Sequence, residues 1–173
     1  ALTARADAML PSRIDLGAFG EVWPVEYRAT GAGRVVARTH GAVVTVSGAV
    51  DDADACLEAL RRWRDRTARE RLPGLLEQVS SATGIGYERV SVRAQRTRWG
   101  SCSTSGTISL NRNLVFLPEH LVRYVLAHEL AHVRERGHGA AFWRLLEELS
   151  PHAREHRAAL REAGGMIPPW AHE

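Results

Sequence analysis

Short apolar runs separated by glycines dominate the first third of the chain. VEYRAT, GRVVART and AVVTVSG are rich in Val, Tyr and Thr, which favour strands, and glycines stand between them. The pattern predicts three strands within residues 25–48, arranged as a small antiparallel meander. Residues 1–20 carry weaker signals, and we expect them to be partly disordered or to add one strand.

A helical period replaces the strand pattern after Asp51 and Asp52, either of which suits a helix N-cap. Leu57, Leu60 and Trp63 then recur on one side of DADACLEALRRWRDRTARER, as in an amphipathic helix. Pairs of opposite charge four residues apart occupy the other face: Glu58–Arg62, Arg61–Asp65 and Arg66–Glu70. Pro73 is expected to kink this helix or to start a second one that ends near Gly84.

The second half of the chain combines a hairpin with helices. VSVRAQ at 90–95 and TISLN at 107–111 predict strands, joined by the turn-rich RTRWGSCSTSG. Pro118 opens the helix EHLVRYVLAHELAHVRER, which we expect to end at Gly137 in a left-handed cap. Helices near 140–149 and from Pro151 to 164–165 follow. Strands, a helix, a hairpin and then helices predict an α+β fold rather than repeated β-α-β units.

The candidate chemistry lies in His128-Glu129-Leu130-Ala131-His132. Residues four apart share one helix face, so the two imidazoles can hold one cation, and zinc favours nitrogen ligands. Glu129 lies beside them and can accept a proton from a zinc-activated water, as in the HExxH pattern. Val122, Val125 and Leu126 can bury the back of this helix. The pattern predicts one Zn²⁺ per chain.

The third ligand has two alternatives. His138 follows His132 by six residues and would complete an HExxH-x5-H set. Glu147 and Glu148 lie on the next helix, and a downstream glutamate is the other possible ligand. A second pair, His152 and His156, lacks an accompanying glutamate, and we expect it on a solvated helix face.

Three further residues are candidates for contacting the substrate or the developing oxyanion. Tyr124 precedes His128 by one helical turn, and Arg98 lies in the turn-rich segment. Asn111 ends TISLN, which we interpret as an edge strand able to pair with an extended substrate. Core packing for Tyr124 and a turn role for Asn111 are the alternatives. We expect Gly100 to permit a tight turn.

The motifs RTRWGSC, ISLN and HELAH, followed by His138 and Phe-Trp, resemble those of the YgjP-type predicted metal-dependent hydrolases. These are zincin-like proteins related to SprT-type and WLM-type metallopeptidases. The resemblance runs from about Arg96 to Trp143. It implies a minimal zincin fold, zinc held by His128, His132 and His138, Glu129 as general base, and a bacterial cytoplasmic location. It identifies no substrate.

Length and composition limit the number of domains and the class of protein. A length of 173 residues suits a single domain, with residues 1–50 as a strand-rich segment packed on a zincin-like domain at 51–173. No apolar run is long enough to span a membrane. Two cysteines make no disulfide framework, which indicates a reducing cytoplasm.

All 23 cationic residues are arginine, yet the net charge is only +3. Codon bias explains this usage, although one helix segment also forms a candidate nucleic-acid surface: Arg61, Arg62, Arg64, Arg66, Arg69 and Arg71. The leading hypothesis is a zinc-dependent metallopeptidase or related amide hydrolase acting on a peptide or protein. The alternatives are a nucleic-acid-associated, SprT-like protease and a non-catalytic zinc-bearing interaction module.

Overall fold

The computed structural model describes residues 10–172, which form an α+β fold, as predicted. The strands are β1 Arg13–Leu16, β2 Glu21–Ala29, β3 Val36–His40, β4 Val43–Gly48, β5 Arg89–Arg93, β6 Gly100–Cys102 and β7 Thr107–Asn111. The α-helices are α1 Ala53–Thr83, α2 Glu119–Arg134, α3 Ala140–Leu149 and α4 Ala153–Glu162. The expectation of disorder at the N-terminus falls mostly on residues 1–9, outside the described residues.

The N-terminal sheet has the order β1-β2-β4-β3 and is not a simple meander. β3 and β4 pair antiparallel as expected, but β2 and β4 pair in parallel, so that prediction was wrong. β4 takes a central position because its Val44 and Val46 are fully buried. The connection at 30–35 therefore carries the chain past that position to the outer strand β3. β1 supplies the added strand.

Helix α1 is continuous, so Pro73 neither ends it nor starts a second helix. Asp52 caps its N-terminus by accepting a 2.9 Å hydrogen bond from the Ala55 amide, and Gly84 ends it in the left-handed region with φ 68°. The residues around the proline bury one continuous apolar face, and this packing outweighs the lost hydrogen bond. That face includes Leu57, Leu60, Trp63, Leu72, Leu76 and Val79.

The polar face of α1 departs from the predicted pairing. Glu58 and Arg62 do form an ion pair. Arg61 instead donates to the Trp170 carbonyl at 2.9 Å, and Arg66 donates to the Ala37 carbonyl at 2.7 Å. Exposed pairs four residues apart are weak, so long guanidinium side chains bond to neighbouring segments when these come within reach.

The second sheet has the order β5-β7-β6, so TISLN in β7 is the central strand. β7 pairs in parallel with β5 and antiparallel with β6, which leaves its backbone no open edge. The prediction of an edge strand at TISLN was therefore wrong, and the edge strand that contacts α2 is β6. None of the helices in the described part of the chain has the length and apolar character that a membrane crossing requires.

Candidate metal centre

Helix α2 presents His128 and His132 one turn apart, while Val122, Val125 and Leu126 on its other side are buried, as predicted. The helix ends at Arg134 rather than at Gly137, and no left-handed cap forms. The reason is Glu135, whose extended backbone turns its carbonyl oxygen to within 3.0 Å of His132 Nδ1. Residues 135–138 then lead the chain back toward the histidines.

The three imidazoles converge on one point. His132 Nε2 lies 3.2 Å from His128 Nε2 and 3.0 Å from His138 Nε2, and the third side of this triangle is 3.4 Å. Because a carbonyl can only accept, His132 Nδ1 donates to Glu135, and its Nε2 therefore presents a lone pair. A four-coordinate zinc ion with bonds of about 2.0–2.1 Å places its ligand nitrogens roughly 3.3–3.4 Å apart. The donor set fits such an ion.

Burial favours the neutral imidazole at two of these residues, His128 and His132. Burial, followed by the charges of His132, His138 and Arg157, lowers the pKa of His128 to about 4. Burial also lowers the pKa of His132, against the hydrogen bond to Glu135. A neutral imidazole offers the lone pair that metal binding needs.

Phe142 on α3 forms the apolar wall of the centre. Its ring stacks on His132 with centroids 4.3 Å apart, and it meets His128 and His138 edge-on at 5.0 and 4.9 Å. Phe142 is fully buried, so it limits the rotamers of all three histidines. The sequence places Phe142 after His138 but does not indicate this triple contact.

Glu129 is buried against β6, with only 6% of its surface exposed. A Cβ on Gly100 would lie 2.8 Å from Glu129 Oε1 and 2.9 Å from its Cγ, so no other residue leaves room for this carboxylate. Gly100 has no positive φ and lies in a strand, which corrects the expectation of a tight turn there. Burial raises the pKa of Glu129 to about 7, although the charge of Arg98 opposes that shift.

The other sequence candidates lie around the same cleft. Tyr124 meets the His128 ring at 6.1 Å, and Arg98 lies on the cleft wall. Asn111 is buried, and its amide donates to the carbonyls of Gln95 and Arg98 at 2.9 and 2.8 Å. The Asn111 side chain therefore holds the loop at 94–99 in place.

Other candidate ligands lie apart from the three histidines. The metal-capable group found among residues 10–172 is His128, His132 and His138, and it includes neither Glu147 nor Glu148. Glu147 is ion-paired with Arg154 at 3.2 Å. His152 is exposed near Glu155, as expected for a solvated face, while His156 packs on Tyr124 with ring centroids 5.7 Å apart.

A cleft of about 1030 Å³ opens in front of His128 and Glu129. The loop at 94–100 lines part of it, and α4 with the C-terminal segment lines another part. Trp170 anchors that segment, since it is buried with its ring edge-on to Phe116. Sequence reasoning did not assign Arg157 and Arg161 to the site. Their spacing of four on a helix was the available signal.

The three converging histidines can hold a metal ion, as the centre of a metal-dependent hydrolase requires. A model of the YgjP-like metallopeptidase domain matches residues 3–163, and the chain therefore belongs to the YgjP-like metallopeptidase family. This confirms the family that the sequence motifs indicate. No curated protein matches the chain.

Two solved structures of metallopeptidase zymogens are similar to part of the chain. Abylysin of Pyrococcus abyssi is 29% identical, covers 53% of this chain and 92% of its own, and superposes with a TM-score of 0.48. Jannalysin of Methanocaldococcus jannaschii is 20% identical, with coverages of 56% and 97% and a TM-score of 0.46.

Proposed function

We propose that this protein is a zinc-dependent peptidase in which His128, His132 and His138 hold one Zn²⁺ and Glu129 is the general base. The observation that carries the proposal is the convergence of three Nε2 atoms within 3.4 Å of one another, beside a buried carboxylate in an open cleft. Three nitrogen ligands suit zinc and leave one coordination position for the reaction.

When bound, the zinc ion supplies Lewis acidity that polarises the scissile carbonyl and acidifies water. Glu129 takes the proton of the attacking water and passes it to the leaving amine. Its pKa, raised by burial to about 7, suits a group that both accepts and releases a proton near neutral pH. Because Gly100 has no side chain, the carboxylate has room to lie against β6 for this transfer.

Tyr124 is the proposed donor to the developing oxyanion and Arg98 a proposed contact for the substrate, since both line the cleft that His128 and Glu129 face. Asn111 has a different proposed role. Both hydrogens of its amide are committed to the loop at 94–99, so it positions Arg98 rather than contacting the substrate.

Glu129→Gln tests the mechanism because it keeps the shape of the side chain and removes the base. We expect the variant to retain zinc, measured by elemental analysis after dialysis, and to lose about 10³-fold in peptide hydrolysis. A proteome-wide cleavage screen that compares this variant with the wild type also identifies the substrate. Full activity in Glu129→Gln would contradict the proposed role.

Metal ligation is tested separately. His132→Ala is expected to lose the zinc itself, whereas Glu148→Gln, the matched control at the alternative ligand position, should keep both zinc and activity. Loss of zinc in Glu148→Gln would reject His138 as the third ligand. Wild-type protein that holds zinc but cleaves nothing in the screen would instead indicate an interaction module.

A further inference from the structure

Four exposed arginines line the cleft beside the metal centre. Arg96 and Arg98 come from the loop at 94–99, and Arg157 and Arg161 lie one turn apart on α4. Within residues 10–172, no carboxylate lies within ion-pair distance of any of these four guanidinium groups.

The charge of the cleft is therefore strongly one-sided. Glu129 is the single carboxylate among the residues described as lining it, and that side chain is buried. A fifth arginine on the wall, Arg112, is bound to Asp65 at 2.9 Å and adds little uncompensated charge. Concave, low-dielectric walls focus the remaining positive potential on any ligand that enters the cleft.

Two of these guanidinium groups act on the reacting centre from different elements. The charge of Arg98 interacts with Glu129, and the charge of Arg157 interacts with both Tyr124 and His128. Arg157 also lies over the Trp143 ring, 4.7 Å from its centroid, which favours one orientation of this long side chain. The charges of Arg98 and Arg157 thus lie close to Glu129 and to His128 of the metal centre.

We propose that the cleft selects peptides that carry carboxylates near the scissile bond, with Arg96 and Arg98 receiving one carboxylate and Arg157 and Arg161 another. This specificity rests on the proposed peptidase function. Guanidinium groups bind carboxylates through paired, charge-assisted hydrogen bonds. Carboxylates are the anions that a peptide brings, either on Asp and Glu side chains or at its C-terminus.

Quenched fluorescent peptides of one length distinguish the two carboxylate sources. An internal peptide with Glu on both sides of the cleaved bond is compared with its Gln counterpart, each with a free or an amidated C-terminus. We expect kcat/KM to rise at least about tenfold with Glu, and the ratio to shrink in 0.5–1 M salt, roughly the range of full screening. Equal values for all four peptides would overturn the proposal.

Variants test which arginines are responsible. Arg98→Gln and Arg161→Gln are each expected to reduce the Glu-to-Gln ratio of kcat/KM by about fivefold to tenfold. The ratio is the readout because a general loss of catalysis lowers both values together. Arg69→Gln is the matched control, since Arg69 is exposed on α1 away from the cleft. An unchanged ratio in both cleft variants would overturn the assignment.

Binding separates this specificity from the peptidase function. Fluorescence anisotropy with zinc-loaded Glu129→Gln should show tighter binding of the Glu peptide, lost in the Arg98→Gln background. If the wild type cleaves no peptide while this preference persists, the peptidase proposal fails and the carboxylate site stands. If an oligothymidylate or inorganic tripolyphosphate binds the same arginines more tightly than the Glu peptide, the cleft selects phosphates and the proposal is wrong.

Discussion

The arginines of helix α1 and those of the cleft differ in whether they bond to other groups of the protein. On α1, nearly every arginine of the candidate basic surface bonds to another part of the protein: Arg61, Arg62, Arg64, Arg66 and Arg71. In the cleft, Arg96, Arg98, Arg157 and Arg161 are exposed and have no ion-paired carboxylate within residues 10–172. The two groups have the same chemistry and different surroundings.

The difference shows that position, not composition, assigns a role to these arginines. A guanidinium group that fills its donors with carbonyls and carboxylates of its own chain links elements of the fold. One that faces a concave site without such partners is available to a ligand. Most arginines of the basic segment of α1 therefore use donors within the protein. The comparison predicts that α1 arginines affect stability and cleft arginines affect substrate selection.

Arg64→Met is expected to give the largest effect on stability. Arg64 is fully buried and donates to Asp65 Oδ1, Asn113 Oδ1 and the Ala171 carbonyl at 2.7, 2.9 and 2.8 Å. Its loss removes this donor from Asn113 and the Ala171 carbonyl, while Asp65 keeps its ion pair with Arg112. A buried acceptor that loses its donor costs about 1–3 kcal/mol. Urea denaturation should show that loss in the free energy of unfolding.

Arg161→Gln is the matched control for this comparison. Because Arg161 is exposed, its replacement should change the free energy of unfolding by less than about 0.5 kcal/mol. Similar losses in Arg64→Met and Arg161→Gln would mean that the two groups of arginines do not differ in role.

Gly100→Ala is expected to damage the site more than the scaffold. The added methyl group would overlap the Glu129 carboxylate, 2.8 Å from Oε1, and push the base out of position. A displacement of about 1 Å in a catalytic group lowers the rate by roughly 10²-fold. The measurement is kcat/KM for a cleaved peptide, together with zinc content, which should stay unchanged.

The control is Gly86→Ala, because nothing lies within 4 Å of a Cβ at that position and its φ is not positive. This variant should keep full activity. If Gly100→Ala were as active as Gly86→Ala, the contact between β6 and Glu129 would not position the base.

The sequence was sufficient to predict features that depend on local spacing. The period of 3.6 residues placed His128, Glu129 and His132 on one helix, and Asp52 and Gly84 marked the ends of α1. Strand order was not predictable in this way. β4 lies between β2 and β3, and β7 lies between β5 and β6, because pairing is decided by contacts between distant segments.

The predictions for Gly100, Arg61 and Arg66 were wrong for the same reason. The local sequence predicts a turn at Gly100 because glycine commonly marks turns, whereas its role depends on a carboxylate 29 positions further along the chain. Arg61 and Arg66 were paired with neighbours on their own helix, whereas they bond to the C-terminal segment and to β3. Neither partner is visible in local spacing.

The smallest expected effect concerns Arg71 and Glu21, a partly exposed pair that links α1 to β2. Arg71 donates to both carboxylate oxygens of Glu21 at 2.7 and 2.8 Å, and its guanidinium lies 3.7 Å from the centroid of Phe19. The hydrogen bond from Arg71 is the largest influence that lowers the pKa of Glu21 below 4.5. Because about a third of each side chain is exposed, we expect the pair to contribute less than about 1 kcal/mol.

Glu21→Gln tests that contribution through its pH dependence. A lowered pKa in the folded state means that the carboxylate stabilises the fold above pH 4.5, and that this stability is lost as the pH falls through the folded pKa. The wild type should therefore be more stable than Glu21→Gln at pH 7, and the two should converge near pH 3. Glu88→Gln, which removes an exposed carboxylate near β5, is the matched control. If the free energies of unfolding of wild type and Glu21→Gln differed by the same amount from pH 3 to pH 7, the charge of Glu21 would not contribute to its pairing with Arg71.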